Sequence, residues 1–134
     1  MPFFCMKLKN LSLTYGAKIF KALSEEPRVR ILNLLQYHGE MCNSDIEQIL
    51  DYTQTKTSRH MSYLKNAGIV GFRKYDQWIF YYIQEEVQGL LNQIWKYIEK
   101  DHVLAKDIEV FEVMYSNREL TAFKHKSSKR TFNP

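Results

Sequence analysis

The chain has 134 residues, which suits one domain and leaves too little length for two independent cores. Apolar residues make up 45% of it and charged residues 25%, which excludes a wholly disordered chain. The longest apolar run, Trp78–Ile83, is far shorter than a membrane span. The first residues lack the basic start of a signal peptide, so a cytoplasmic protein is expected. Two cysteines, Cys5 and Cys42, are too few for a disulfide scaffold or an all-cysteine zinc site.

The formal net charge of +4 is unevenly distributed along the chain. Residues 54–75 contain five cations and no acid, whereas residues 38–52 contain four acids and neither lysine nor arginine. Seven acids outweigh three lysines in residues 85–112, and residues 118–134 carry five cations against one acid. A positive patch on a polarised body indicates a polyanion binder. The alternative interpretation is a solvated charged face.

Apolar spacing predicts three helices in the first part of the chain. The first covers about residues 11–23, with four apolar residues on one face, namely Leu13, Ala17, Phe20 and Leu23. The second has Pro27 in its first turn and ends at His38-Gly39. The segment Ser44-Asp45-Ile46-Glu47 fits a capping box, which predicts the start of a short third helix.

The next elements follow at short intervals. Thr53 is a suitable N-cap for a fourth helix of about residues 54–67, and Gly68 is a suitable left-handed stop. Residues 69–74 and 78–83 are rich in β-branched and aromatic side chains, which predicts a β-hairpin. A fifth helix is predicted over about 85–101, and a sixth helix follows with Leu104, Ile108, Phe111 and Tyr115.

These elements predict three segments. Residues 1–10 are an N-terminal arm, residues 11–118 form the folded domain, and residues 119–134 form a basic, flexible tail. The fold class is mainly α with a small β-hairpin, in the order of a winged helix-turn-helix.

A winged helix-turn-helix order predicts contacts with duplex DNA, because the short third helix braces the fourth so that its N-terminal half can enter a major groove. The hairpin would then lie along the flanking backbone. The residues expected to contact DNA are Gln54, Thr55, Lys56, Ser58 and Arg59 on the helix and Arg73 and Lys74 on the hairpin. His60 has two interpretations, a phosphate contact or a packed and hydrogen-bonded side chain.

Three stretches carry a resemblance to a known family. They are Leu23-Ser24-Glu25-Glu26-Pro27-Arg28-Val29-Arg30-Ile31-Leu32, Thr57-Ser58-Arg59-His60-Met61-Ser62-Tyr63-Leu64 and Ala67-Gly68-Ile69-Val70. With the hairpin, they make the chain similar to the ArsR/SmtB group of bacterial dimeric repressors. The resemblance implies a symmetric dimer, joined through the first and fifth helices, that binds a pseudo-palindromic operator. The fifth helix carries an apolar stripe too wide for a lone surface helix, formed by Val87, Leu90, Leu91, Ile94 and Ile98.

The chain departs from the metal sensors of that family. Those proteins often carry Glu-Leu-Cys-Val-Cys-Asp-Leu at the third helix, where this chain has one thiol, Cys42, and Ser44 in place of the second. Other members bind zinc at the fifth helix through imidazoles, at positions where this chain has Val87 and Ile98. Glu85 and Asp101 remain there, but carboxylates alone hold transition metals poorly. We therefore expect no metal site, no cofactor and no control of DNA binding by zinc, cobalt or nickel.

Cys42 has two interpretations. It can be an inert, buried small side chain. Alternatively it can pair with Cys5 as a thiol switch or a two-coordinate soft-metal site. The effector of the protein is not encoded in any motif.

Three classes of function compete. The first is a homodimeric repressor of transcription that binds palindromic duplex DNA. The second is a winged-helix module that binds protein or RNA, which would not need the acid-free segment 54–75. The third is an enzyme, which the chain does not support because it lacks a Cys-x-x-Cys motif, a glycine-rich phosphate loop and an acid/base pair beside a nucleophile.

Overall fold

Residues 10–124 are described by a computed structural model, in which six helices and three strands follow one another. The helices are α1 (Leu13–Ala22), α2 (Glu26–His38), α3 (Asn43–Leu50), α4 (Gln54–Asn66), α5 (Glu85–Ile98) and α6 (His102–Ser116). The strands are β1 (Glu40–Cys42), β2 (Val70–Tyr75) and β3 (Trp78–Ile83). The prediction of a mainly helical winged helix-turn-helix is confirmed.

Helix α2 lies at the centre of the core. Four of its apolar side chains are at most 1% exposed, namely Ile31, Leu32, Leu34 and Leu35. These positions surround the helix instead of following one face, because α4, α6 and the sheet pack around it. Gly39 ends the helix at φ +106°, a conformation that favours glycine.

The connection between α3 and α4 is the expected tight turn. Asp51 adopts a left-handed conformation with φ 58°, which a short polar side chain tolerates. The hydroxyl of Thr53 accepts the backbone N–H of Lys56 at 3.1 Å and so caps α4 as predicted. Gly68 follows the end of α4 with φ +81°, which confirms the predicted stop.

The start of α3 differs from the predicted capping box. The N-cap residue is Cys42, and no side chain caps the helix. The hydroxyl of Ser44 lies 3.2 Å from the sulfur of Cys42, and the helix begins at Asn43. The reason is that β1 runs directly into α3 and leaves no free residue before Ser44.

The sheet has three strands in the order β1-β3-β2, all antiparallel. The predicted hairpin is present, and Tyr75 pairs with Trp78 across a two-residue turn in which Asp76 has φ 56°. Strand β1 was not predicted, because three residues carry too little periodicity to indicate a strand.

Helix α1 buries a different face from the one predicted. Ile19 and Ala22 are buried against the core, whereas Leu13 is 90% exposed and Phe20 is 66% exposed. Both helical faces are therefore apolar, and the predicted one points away from the body of the chain.

Helix α5 divides its apolar stripe between two environments. Val87 and Leu91 are fully buried in the core of the single chain, so they cannot also lie at a dimer interface as predicted. Leu90, Ile94 and Ile98 are half-buried and reach the surface. The stripe is wide because one edge packs inward and the other faces outward.

Helix α5 also ends earlier than predicted, at Ile98 instead of Asp101. The carboxylate of Asp101 accepts the backbone N–H of Val103 at 2.8 Å and so caps α6. A carboxylate used in this way is already committed, which removes one of the two oxygen ligands that the fifth-helix comparison left.

The segment after α6 packs against the body of the domain. Leu120 and Ala122 are at most 1% exposed, although residues 119–134 were expected to form a flexible tail. Two buried side chains without helical periodicity give no signal in the sequence. The basic residues of the tail beyond Lys124, and the arm up to residue 9 including Cys5, lie outside the described residues.

Within residues 10–124, every helix is too short or too polar to cross a membrane.

Candidate nucleic-acid interface

The N-terminal half of α4 presents a polar, cationic surface. Gln54, Thr55 and Arg59 are exposed, and Lys56 and Ser58 are half-buried. The first turn contains no acidic residue, so the positive end of the helix dipole adds to the field of the side chains. All five predicted residues of α4 therefore share one accessible end of one helix, a form that fits a major groove.

Lys56 is held above the ring of a residue in the turn. Its Nζ atom lies 4.1 Å from the centroid of the Tyr52 ring, within the range of a cation–π contact. The contact fixes the direction of a side chain that would otherwise be mobile. Sequence reasoning did not identify Tyr52, although an aromatic residue four positions before a lysine across a cap is a usable signal.

His60 lies beneath this surface between two arginines. It is 3% exposed, its Nδ1 lies 3.4 Å from Nη1 of Arg28, and its Nε2 lies 3.5 Å from Nη2 of Arg59. Burial lowers the pKa of His60, and the positive charges of Arg59 and Arg28 lower it further. Of the two interpretations of His60, the packed and hydrogen-bonded one describes its place.

Arg28 holds this region to the end of α1. Its Nε donates to the carbonyl oxygen of Ala22 at 2.7 Å, and its guanidinium lies 4.0 Å above the ring of Tyr63. Arg28 is 4% exposed, so these partners replace water around the charge. A charged residue inside a helix that is otherwise apolar was the available signal for such a role.

The two basic residues of the hairpin lie on opposite faces of the sheet, because adjacent residues of a strand alternate. Arg73 donates from Nε to Glu40 at 3.2 Å and lies over the ring of Tyr82. Lys74 is exposed on the other face, opposite Ile79. The hydrogen bond from Arg73 to Glu40 raises the pKa of the guanidinium, which stays charged but engaged.

The face of the sheet that carries Lys74 is the one turned towards α4. Phe72 lies on this face, and the Nζ atom of Lys65 from α4 lies 4.8 Å from the centroid of its ring. Lys74 is therefore on the same side of the domain as the cations of α4.

Cys42 is 3% exposed. Burial raises the pKa of its thiol, and the neighbouring Asp45 raises it further. A protonated, buried thiol is a poor nucleophile and a poor metal ligand. Among residues 10–124, no three side chains of histidine, cysteine, aspartate or glutamate come together as a metal site.

A helix-turn-helix with a cationic second helix, and a hairpin beside it, defines a winged helix-turn-helix of the kind that reads a nucleic-acid groove. A family model described as bacterial regulatory protein, arsR family, matches residues 25–71 of this chain. This region runs from the start of α2 into β2 and includes the whole helix-turn-helix.

Individual relatives agree with the family match. The chain is 44% identical over 71 residues to an uncharacterised HTH-type transcriptional regulator, MJ1325, of Methanocaldococcus jannaschii, covering 53% of this chain and 80% of that protein. It is 39% identical over 70 residues to a cadmium resistance transcriptional regulatory protein CadC homolog of Staphylococcus aureus, covering 52% of this chain and 58% of that protein. The chain therefore spans little more than half the length of the CadC homolog.

A solved structure shows the same fold. The winged helix-turn-helix DNA-binding domain of Mb0332 from Mycobacterium bovis, a homodimer, superposes with a TM-score of 0.57 at 30% identity, covering 67% of this chain and 87% of that one. The chain belongs to the arsR family of bacterial regulatory proteins. Its relatives are regulators of transcription, which places the chain among regulators and not among enzymes.

Proposed function

We propose that this chain represses transcription by binding a two-fold symmetric DNA operator as a homodimer, and that an effector releases it. The observation that carries the proposal is the accessible cationic end of α4 on a braced helix-turn-helix. Its place of action would be the cytoplasm, where the operator lies.

In this proposal the two kinds of contact have separate roles. Gln54, Thr55 and Ser58 read base edges, whereas Lys56, Arg59 and Lys74 contact phosphates. Arg73 also belongs to the phosphate contacts, but it must first exchange its bond to Glu40 for one to DNA.

The dimer would form through the outward faces of α1 and α5. Phe20 and Leu13 are exposed on α1, and Tyr97 is 88% exposed on α5. Large apolar side chains exposed together are typical of a protein interface. The half-buried Leu90, Ile94 and Ile98 would extend the same surface.

Selection of binding sites from random duplex DNA, followed by footprinting, tests this function. We expect inverted half-sites whose centres lie about 10 base pairs apart or a multiple of that distance. Gln54→Ala should relax discrimination at one base position by roughly 1–3 kcal/mol. Protection of one asymmetric site by a monomer would contradict the proposal.

Sedimentation velocity tests the dimer. Phe20→Glu should shift the protein towards monomer, because a charge at the interface is costly to bury. Val113→Glu is the matched control, since Val113 is 56% exposed but lies on α6, away from the proposed surface. If both variants dimerise like the wild type, α1 does not form the interface.

A further inference from the structure

A line of contacts connects α6 to the cationic end of α4. The carboxylate of Asp107 in α6 accepts two hydrogen bonds from Arg30 in α2, from Nε and Nη2, both at 2.8 Å. Arg30 donates a further bond from Nη1 to the hydroxyl of Tyr52 at 3.3 Å. The ring of Tyr52 lies beneath the ammonium group of Lys56. Four elements are thus connected through four side chains.

The first contact is well suited to fix the others. The side chain of Asp107 is 5% exposed, so Arg30 replaces the water that its charge would otherwise require. Two parallel hydrogen bonds define the plane of the guanidinium as well as its position. The hydrogen bond to Asp107 raises the pKa of Arg30, which keeps the guanidinium charged.

The direction set at Asp107 passes to Tyr52. The remaining Nη1 of Arg30 points to the Tyr52 hydroxyl, and the guanidinium also lies 5.5 Å from the centroid of that ring. Tyr52 is part of the turn between α3 and α4, where a free aromatic side chain would have several rotamers. Holding its ring in one orientation provides a platform for Lys56.

We propose that Asp107, Arg30 and Tyr52 are positioning residues that hold Lys56 in the direction it needs to contact a DNA phosphate. This inference rests on the proposed function. It gives α6 a part in DNA binding although α6 lies outside the family-matched region, residues 25–71. One third of this chain also has no counterpart in the Mb0332 domain.

A double-mutant cycle on DNA affinity tests the proposal. Asp107→Asn should weaken binding to a selected operator roughly 2- to 10-fold in the wild type and hardly at all when Lys56 is already alanine. The same substitution combined with Lys74→Ala should be additive, because Lys74 is on the hairpin. A purely structural role would weaken binding equally in every background.

Control variants separate the relay from general effects on α6. Lys106→Ala removes an exposed ion pair to Glu109 on the same helix and should leave affinity unchanged. Should Asp107→Asn fail to fold, Tyr52→Phe removes only the hydroxyl that Arg30 contacts and should show the same coupling to Lys56.

A spectroscopic measurement distinguishes failure of the relay from failure of the proposed function. The ε-methylene protons of Lys56 should resonate upfield in the free wild type, and Tyr52→Leu should remove that shift. If the shift is absent, or if Asp107→Asn and Lys56→Ala are additive, the relay is wrong. If the shift is present but no duplex is bound, the DNA-binding function and the role of Lys56 in it are both wrong.

Discussion

The buried carboxylate of Asp45 accepts the backbone N–H of Ala122 at 2.7 Å. The same carboxylate accepts the N–H of Thr121 at 2.9 Å, so both oxygens are used. Asp45 is in α3, whereas its partners follow α6, and the bonds join the C-terminal segment to the helix-turn-helix.

We expect Asp45→Asn to destabilise the fold by about 1–3 kcal/mol, because a carboxamide can accept with its oxygen only, and its NH₂ group would face a backbone donor. Urea unfolding measures the change in the free energy of unfolding. Asp51→Asn is the matched control, since Asp51 is exposed and asparagine tolerates its left-handed conformation. Equal stability of the two variants would show that the two bonds to Asp45 contribute nothing.

The two basic residues of the hairpin should contribute unequally to DNA binding. We expect Lys74→Ala to lower the slope of log affinity against log salt by about 1, because a phosphate contact releases a counterion. Arg73→Ala should lower it by less, because Arg73 exchanges one carboxylate partner for a phosphate. Fluorescence anisotropy titrations at several salt concentrations give both slopes. A larger effect of Arg73 would mean that the opposite face of the hairpin lies on DNA.

Stability should fall on acidification through His60. Its folded-state pKa is lowered, so below the ordinary histidine pKa of about 6.5 the unfolded chain binds a proton that the folded chain resists. This group therefore costs stability as the pH falls from about 6.5 towards the folded-state pKa, and has no effect well above 6.5.

We expect His60→Gln to lose less stability than the wild type between pH 7.5 and pH 5.5, measured by urea unfolding at both pH values. His102→Gln, at an exposed histidine of α6, is the control and should follow the wild type. A variant of His60 with an unchanged pH profile would show that the lowered pKa has no part in stability.

Cys42 should not respond to zinc or to a mild oxidant. In a Cys5→Ser background, neither treatment is expected to change DNA affinity, because the remaining thiol is buried and its pKa is raised. A maleimide reagent should label Cys42 at least about tenfold faster in urea than in buffer, since labelling requires local opening. Release of DNA by sub-micromolar zinc in this background would refute the interpretation of Cys42 as a core residue.

Local sequence patterns predicted the order of the elements and several of their ends. The cap at Thr53, the stop at Gly68 and the hairpin were correct because each depends on contacts within a few residues. The cationic end of α4 was equally accessible, since its charges are consecutive along the chain. The placement of Arg73 and Lys74 on opposite faces also follows from their being adjacent in a strand.

The tertiary structure alone decided which side chains the buried charges meet. Arg30 and Asp107 are 77 positions apart, as are Asp45 and Ala122, and no periodicity relates such distant residues. The packing of α6 against α2 and α3 brings them together. It also determined that Val87 and Leu91 face inward while Phe20 faces outward. An apolar stripe shows that a face is to be covered, but only the arrangement of the other helices determines whether the chain itself covers it.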